Sequence, residues 1–149
     1  MLFGKRKRIV KRILVVEDEP LVAFDNEMTL ADLGYEVVAT LDNFGDAIAL
    51  LGREQIDLIL SDVRLSGERS GVDLARAAKE KGIPVLFSTG MKLPQEAAEV
   101  AVGCLSKPYT ERQLRDALDS VDRLLGGEAV TASKGLELYN PQRPEDPAR

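Results

Sequence analysis

Residues 13–20 read ILVVEDEP, and this stretch decides the fold because it runs from an apolar strand through acidic residues into a helix. Four consecutive apolar residues, 13–16, are typical of a strand that is covered on both faces. Pro20 suits the first turn of a helix, where a backbone N–H has no partner to lose. The apolar residues that follow recur at helical spacing before Gly34: Leu21, Phe24, Met28 and Ala31.

The same alternation of apolar runs and helical periods continues to residue 125. The further predicted strands are 36–40, 56–61, 85–88 and 104–106. The further predicted helices are 44–51, 71–81, 95–102 and 110–125, the last opened by a capping-box pair, Thr110 and Gln113. Strands alternating with helices in this way are typical of βαβ units. The sequence predicts an α/β fold of (βα)5 type, with a five-stranded parallel sheet and helices on both faces.

Length and composition predict one folded domain. The chain has 149 residues and is 44% hydrophobic, which suffices for one core. Residues 1–11 form a basic arm, because residues 1–12 hold six basic side chains and no acidic one. Residues 12–126 are the domain. Residues 127–149 are rich in proline, glycine and charge, and we expect a flexible tail without an output domain.

Several functional classes are excluded by what the sequence lacks. It has no histidine, so a Ser-His-Asp mechanism and histidine-based metal sites are excluded. One cysteine, Cys104, agrees with a reducing compartment, and no apolar run is long enough for membrane insertion, so we expect a cytoplasmic protein.

The basic arm suits either nucleic acid, an anionic membrane face or simple solvation. We favour solvation, because the arm is short and lacks aromatic residues, and nucleic acid is not an expected partner.

Chemically active residues follow the predicted strands at the edge where an open parallel sheet binds ligands. Glu17 and Asp18 follow the first strand, Asp62 the third, Thr89 the fourth and Lys107 the fifth. Carboxylates gathered this closely repel one another unless a cation offsets their charge, and Mg²⁺ prefers such oxygen ligands. An aspartate beside this metal can attack phosphorus, while an ammonium and a hydroxyl stabilise the phosphoryl oxygens. The pattern favours phosphoryl transfer to Asp62.

These motifs resemble those of receiver domains of two-component response regulators, over residues 12–125. The resemblance is carried by LVVEDEP at 14–20, LILSD at 58–62, Thr89, and the Lys107-Pro108 pair. It implies a flavodoxin-like fold with strand order 2-1-3-4-5. It also implies that Asp62 is the phosphoacceptor and that a sensor histidine kinase or a phosphotransfer protein is the donor. Such a domain is a signalling module, and its only catalysis is its own phosphotransfer and autodephosphorylation.

The resemblance also implies a ligand set for Mg²⁺ or Mn²⁺. Asp18 and Asp62 would bind the ion through their side chains, Arg64 through its backbone carbonyl, and Glu17 through water. Thr89 and Lys107 would contact the phosphoryl group. A downstream protein would bind the face formed by residues 91–125, whose first helix has the weakest pattern.

One departure from the family concerns the switch region, which comprises Phe87, Cys104 and Tyr109. Receivers usually carry an aromatic residue where this chain has Cys104. The segment 87–90, FSTG, resembles the Phe-Ala-Thr-Gly motif of stand-alone alphaproteobacterial receivers that lack this aromatic residue and often serve general stress signalling. The route from Asp62 to a partner is therefore predicted to differ from the usual one.

There are three alternatives to this function. In the first, the chain is a phosphate shuttle or sink in a relay. In the second, it is a receiver-like binding module that is never phosphorylated. A phosphatase of the haloacid dehalogenase type is disfavoured, because such enzymes place a second acid two residues after the nucleophile and this chain has Arg64 there.

Overall fold

The central sheet has the predicted parallel order, with one strand added. The computed structural model describes residues 7–139. Its elements are β1 (Arg12–Val16), α1 (Pro20–Asp32), β2 (Glu36–Leu41), α2 (Phe44–Leu51), β3 (Leu58–Ser61), α3 (Gly71–Glu80), β4 (Val85–Thr89), α4 (Ala97–Val100), β5 (Gly103–Ser106), α5 (Glu111–Leu125) and β6 (Leu136–Leu138). The strand order is β2-β1-β3-β4-β5-β6, and β1 to β5 are parallel. The (βα)5 fold with order 2-1-3-4-5 is confirmed.

Helices cover both faces of this sheet, as predicted. Successive residues of a strand point to opposite faces. In β1, Leu14 and Val16 belong to a core with residues of α2 and α3, whereas Ile13 and Val15 belong to a core with residues of α1 and α5. The uniformly apolar sequence of β1 follows from this double cover, because neither face of the strand contacts water.

The side chains that α1 buries differ from those that its periodicity suggested. Leu21, Phe24 and Met28 are 80%, 58% and 50% exposed, and the buried residues are Ala23, Asn26 and Leu30. The helix is present where predicted. However, its apolar stripe faces solvent. The buried residues Ala23, Asn26 and Leu30 lie on a different side of the helix.

The predicted flexible tail is wrong for residues 136–138, because they form β6, an antiparallel neighbour of β5. The sheet therefore has six strands among the described residues rather than five. Leu136 is buried and joins the α5 side of the core, which is the physical reason the segment docks. The parts of the predicted arm and tail at 1–6 and 140–149 lie outside the described residues.

Helix ends agree with the sequence at α5 and differ at α4. The side chain of Thr110 accepts the Gln113 N–H at 3.0 Å and the Gln113 side chain accepts the Thr110 N–H at 2.8 Å, so the capping box is confirmed. Only residues 97–100 of the predicted helix 95–102 are helical.

Within residues 7–139, no helix has the length and apolarity required to cross a membrane.

Candidate functional site

The site lies at the carboxyl ends of β1, β3, β4 and β5, where the strand order reverses between β1 and β3. Backbone bonds hold this edge: the Asp62 N–H donates to the Val16 carbonyl at 2.9 Å, and the Glu17 N–H donates to the Leu41 carbonyl at 2.8 Å. Parallel strands end at one edge, so residues distant in sequence meet there. The crevice at such a reversal is the usual ligand site of this architecture.

The three predicted acidic residues form one cluster. A carboxylate oxygen from each of Glu17, Asp18 and Asp62 lies within 4.8 Å of the others. Glu17 and Asp62 are buried, and Asp18 is half-buried. Burial raises the pKa of Glu17, and the charge of Asp62 raises it further, against the opposing effect of Lys107. Negative charge is thus concentrated here at a real electrostatic cost.

Lys107 is the cation at the centre of this cluster. Its Nζ lies 3.0 Å from Asp62 Oδ2, 3.0 Å from Glu17 Oε1 and 3.2 Å from Glu19 Oε1. Burial alone would lower the pKa of Lys107, but hydrogen bonds and charge from Asp62 and Glu17 raise it above its ordinary value. Lys107 therefore remains an ammonium and offsets part of the negative charge. Its peptide bond to Pro108 is cis.

Asp62 is held by its own loop as well as by Lys107. Its Oδ1 accepts the Val63 N–H at 2.6 Å and the Arg64 N–H at 3.3 Å. Gly71, at the start of α3, lies so close to the Asp62 carbonyl that any side chain there would collide with it. The carboxylate is thus presented in one orientation, with one oxygen toward the loop and the other toward Lys107.

A cavity of about 400 Å³ opens above Asp62. Its lining is Asp18, Glu19, Asp62, Arg64, Thr89, Gly90, Met91 and Lys107. Thr89 is buried, and its Oγ1 accepts the Met91 N–H at 3.2 Å. An anionic group in this cavity would meet an ammonium and a hydroxyl, while a cation would meet carboxylates. Such a site suits a phosphoryl group and a metal ion together.

The switch-region residues occupy three different environments. Phe87 is fully buried in the sheet core, and Cys104 is buried on β5, where its register partner is Glu137 of β6. Burial raises the pKa of the Cys104 thiol to about 11. The Tyr109 hydroxyl donates to Asn26 Oδ1 at 2.9 Å and accepts the Ser88 hydroxyl at 3.2 Å.

Two residues of this region were not anticipated from the sequence. Glu19 contacts Lys107, although its place after the acidic pair within residues 14–20 was a signal that it belonged to the site. Asn26 is buried on α1 and accepts the Tyr109 bond. The sequence carries no signal for this bond, because the burial of Asn26 is visible only in the fold.

The donor set fits a hard divalent cation. The cluster of Glu17, Asp18 and Asp62 offers oxygen ligands only, which Mg²⁺ and Mn²⁺ prefer. Lys107 cannot by itself neutralise these three carboxylates and Glu19. Arg64 lines the cavity two residues after Asp62, where its backbone carbonyl is a candidate further ligand.

Comparisons with known proteins agree with this geometry. The family model for the response regulator receiver domain matches residues 13–119. The transcriptional regulatory protein PdtaR of Mycobacterium tuberculosis is 31% identical over 140 residues, covering 87% of this chain and 68% of PdtaR. The solved structures to which the chain is similar include two with direct bearing on the site. SdrG of Pseudomonas melonis, in its BeF3-activated conformation, has TM-score 0.64 and 32% identity over 74% of this chain and 94% of that one.

The second solved structure is the receiver domain of the sensor histidine kinase PA1611 of Pseudomonas aeruginosa, which has a magnesium ion coordinated in its active-site cleft. Its TM-score is 0.65 at 25% identity, over 74% of this chain and 95% of that one. The chain belongs to the response regulator receiver domain family. It is a signalling module of two-component systems rather than a conventional enzyme.

Proposed function

We propose that the chain is a phosphorylation-dependent switch, in which Asp62 accepts a phosphoryl group from a histidine of a sensor kinase or phosphotransfer protein. The observation that carries this proposal is the short contact between Asp62 Oδ2 and Lys107 Nζ, 3.0 Å, at the floor of a cavity that Asp18 and Thr89 also line. A nucleophile, its cation and a hydroxyl donor are thus in place. The donor histidine lies outside these 149 residues, since they contain none.

In the proposed reaction, a carboxylate oxygen of Asp62 attacks phosphorus. The new O–P bond forms as the N–P bond of the phosphohistidine breaks, and its electron pair returns to the imidazole. Lys107 then moves from the carboxylate to a phosphoryl oxygen, and the Thr89 hydroxyl donates to another. Asp18 and Asp62 would hold Mg²⁺, with Glu17 acting through water, and the ion would supply positive charge to the phosphoryl oxygens.

The surface beside the cavity is suited to a transient protein partner. The exposed apolar stripe of α1, defined by Leu21, Phe24 and Met28, begins three residues after Asp18. A contiguous exposed apolar patch next to a reactive site is typical of a docking surface. We place the phosphoryl donor on this stripe and keep the face 91–125 for the downstream partner.

A direct test is phosphorylation by a small donor, such as phosphoramidate, followed by intact mass measurement. We expect one added phosphoryl group in the wild type with Mg²⁺, no addition in Asp62→Asn, and normal addition in the control Asp116→Asn on the exposed side of α5. Loss of uptake on adding a chelator would support the metal site. Uptake in Asp62→Asn equal to the wild type would refute Asp62 as acceptor.

The same labelled protein separates the remaining roles. Absence of any uptake by the wild type would favour a receiver-like module that works without phosphate. Rapid return of the phosphoryl group to a kinase or phosphotransfer protein would favour a shuttle or sink over a switch.

A further inference from the structure

The strand β6 covers the outer edge of β5. Its register pairs are Gly103 with Leu138, Cys104 with Glu137, and Leu105 with Leu136. The Tyr139 N–H extends this pairing by donating to the Val102 carbonyl at 2.9 Å. An edge strand without a neighbour presents free N–H and C=O groups that accept an extended segment from any source. β6 therefore shows, within one chain, how a peptide sits on this edge.

Side chains anchor β6 on both faces of the sheet. Leu136 is buried on the α5 side, where it joins the core that contains Leu105. Tyr139 lies on the opposite side and packs against the core that contains Cys104. The surface thus takes an extended segment that carries an aliphatic residue and, three positions later, an aromatic one.

Gly103 makes the close approach of β6 possible. A Cβ atom at this position would lie 2.5 Å from the Glu137 carbonyl oxygen, and its three nearest atoms all belong to Glu137 or Leu138. A side chain at 103 would therefore push away β6 before it disturbed the core. This residue gives a selective way to block the edge.

The docked segment is short and follows a long connection. β6 has three residues, and ten residues without helix or strand, 126–135, connect it to α5. The Ser133 hydroxyl is buried and, within the described part of the chain, has no hydrogen-bond partner. An unsatisfied buried hydroxyl opposes docking. Short elements of this kind are the first to open locally.

A cavity connects this segment to the phosphorylation site. Its volume is about 440 Å³, and its lining includes Thr89, Met91, Cys104, Glu137 and Tyr139. Thr89 and Met91 also line the cavity above Asp62. A phosphoryl group on Asp62 that drew the Thr89 hydroxyl toward it would therefore alter a wall shared by both cavities.

We propose that the edge of β5 is a binding surface for an extended segment of a partner protein, and that residues 133–139 occupy it as an internal ligand until Asp62 is phosphorylated. This rests on the proposed function. The partner segment runs antiparallel to β5 and carries a leucine-like residue in the place of Leu136 and an aromatic residue in the place of Tyr139. Phosphorylation shifts the equilibrium between a covered edge and an open one.

The only cysteine of the chain reports on this equilibrium. Cys104 is the register partner of Glu137 in β6, is 7% exposed and has a pKa raised to about 11 mainly by burial, so it reacts slowly with thiol reagents. With Mg²⁺ and beryllofluoride, a phosphoryl mimic, we expect labelling of Cys104 by dithionitrobenzoate to accelerate about tenfold, a usual size for coupling between two sites. Asp62→Asn should label at the slow rate under both conditions.

Two further measurements use the full chain. Gly103→Val should label fast with and without beryllofluoride, whereas Gly45→Ala, which adds a methyl group without a close contact, should behave as the wild type. A fluorescent peptide with the sequence of residues 133–139 should bind the beryllofluoride-loaded wild type, measured by anisotropy. It should bind neither the unloaded wild type nor loaded Gly103→Val.

Fluorine NMR of bound beryllofluoride separates two kinds of failure. If the wild type binds beryllofluoride but Cys104 labels at the same rate or more slowly, the internal-ligand proposal is wrong and the role of Asp62 stands. Faster labelling without peptide binding also overturns it, because the uncovered edge would then bind no extended segment. If the wild type neither binds beryllofluoride nor takes up phosphoryl groups, the proposed function fails and the displacement fails with it.

Discussion

Helices α1 and α5 flank the same face of the sheet but use their apolar residues in opposite ways. In α5, Leu114, Ala117, Leu118 and Val121 are all buried against the strands. In α1, the stripe of Leu21, Phe24 and Met28 points to solvent. The same periodicity thus stabilises the domain in one helix and remains available for a partner in the other.

The charged residues of α1 and α5 also differ. α1 contains Asp25, Glu27 and Asp32 and no basic residue, so acidic side chains accompany its exposed stripe. α5 mixes both signs on its exposed side, with contacts such as Arg115 to Asp116 at 3.3 Å. An apolar stripe among carboxylates suits a partner helix with apolar and basic residues. Four predictions test the contrast, in order of their expected effect on stability.

The largest effect is expected from the buried side of α5. Leu118→Ala should lower the free energy of unfolding by about 2–5 kcal/mol, because it removes a buried aliphatic group and leaves a cavity. Urea unfolding of the purified protein measures this. The matched variant Leu21→Ala on α1 should change it by less than about 0.5 kcal/mol. Equal losses in the two variants would mean that the α1 stripe is part of the core.

A smaller effect is expected from the polar contact that holds α1. The Tyr109 hydroxyl bonds Asn26 at 2.9 Å, and Asn26 is buried, so Tyr109→Phe leaves an unsatisfied oxygen inside the protein. We expect a loss of about 1–3 kcal/mol. A double-mutant cycle with Asn26→Ala is the check. Additive losses would show that the two side chains do not depend on each other.

The start of α5 should contribute less again. Thr110 caps the helix, and Thr110→Ala should lower stability by about 1 kcal/mol, whereas Thr110→Ser should restore nearly all of it because the hydroxyl remains. α1 has no side-chain cap at Glu19 and begins instead with Pro20. Thermal unfolding compares the variants. No difference between alanine and serine would contradict a capping role.

The sequence predicted the architecture well because its signals are local and repeated. Each strand is an apolar run and each helix a periodic one, and parallel strands place their following residues at one edge. For this reason Asp18, Asp62, Thr89 and Lys107 were expected together, and the structure brings them together around one cavity. Their roles in phosphoryl transfer stay predictions.

The features that the sequence did not predict depend on contacts between distant segments. The periodicity of α1 indicates that an apolar stripe needs an apolar neighbour, but not whether that neighbour lies in the same chain. β6 is only three residues long, too short for alternation to distinguish it from a polar tail. Its docking depends on Gly103, a residue without a side chain whose importance lies in the approach that it permits.

The smallest effect on stability is expected from Phe24, together with a specific effect on function. Phe24 is 58% exposed on α1, so Phe24→Ala should leave the free energy of unfolding within about 0.5 kcal/mol of the wild type. Transfer from a sensor kinase that labels the wild type should nevertheless slow about tenfold, because an aromatic anchor at an interface contributes more than 1 kcal/mol to binding. Transfer from phosphoramidate, which needs no docking, should be unchanged.

The control for this experiment is Ile9→Ala, which removes an apolar side chain of similar exposure that precedes β1 and is not part of α1. It should leave transfer from both donors unchanged. If Phe24→Ala slows both donors equally, the side chain acts on the Asp62 site and not on docking. If it slows neither, the stripe is not where the kinase binds, and the contrast between α1 and α5 needs a different partner to explain why apolar residues remain exposed beside the site.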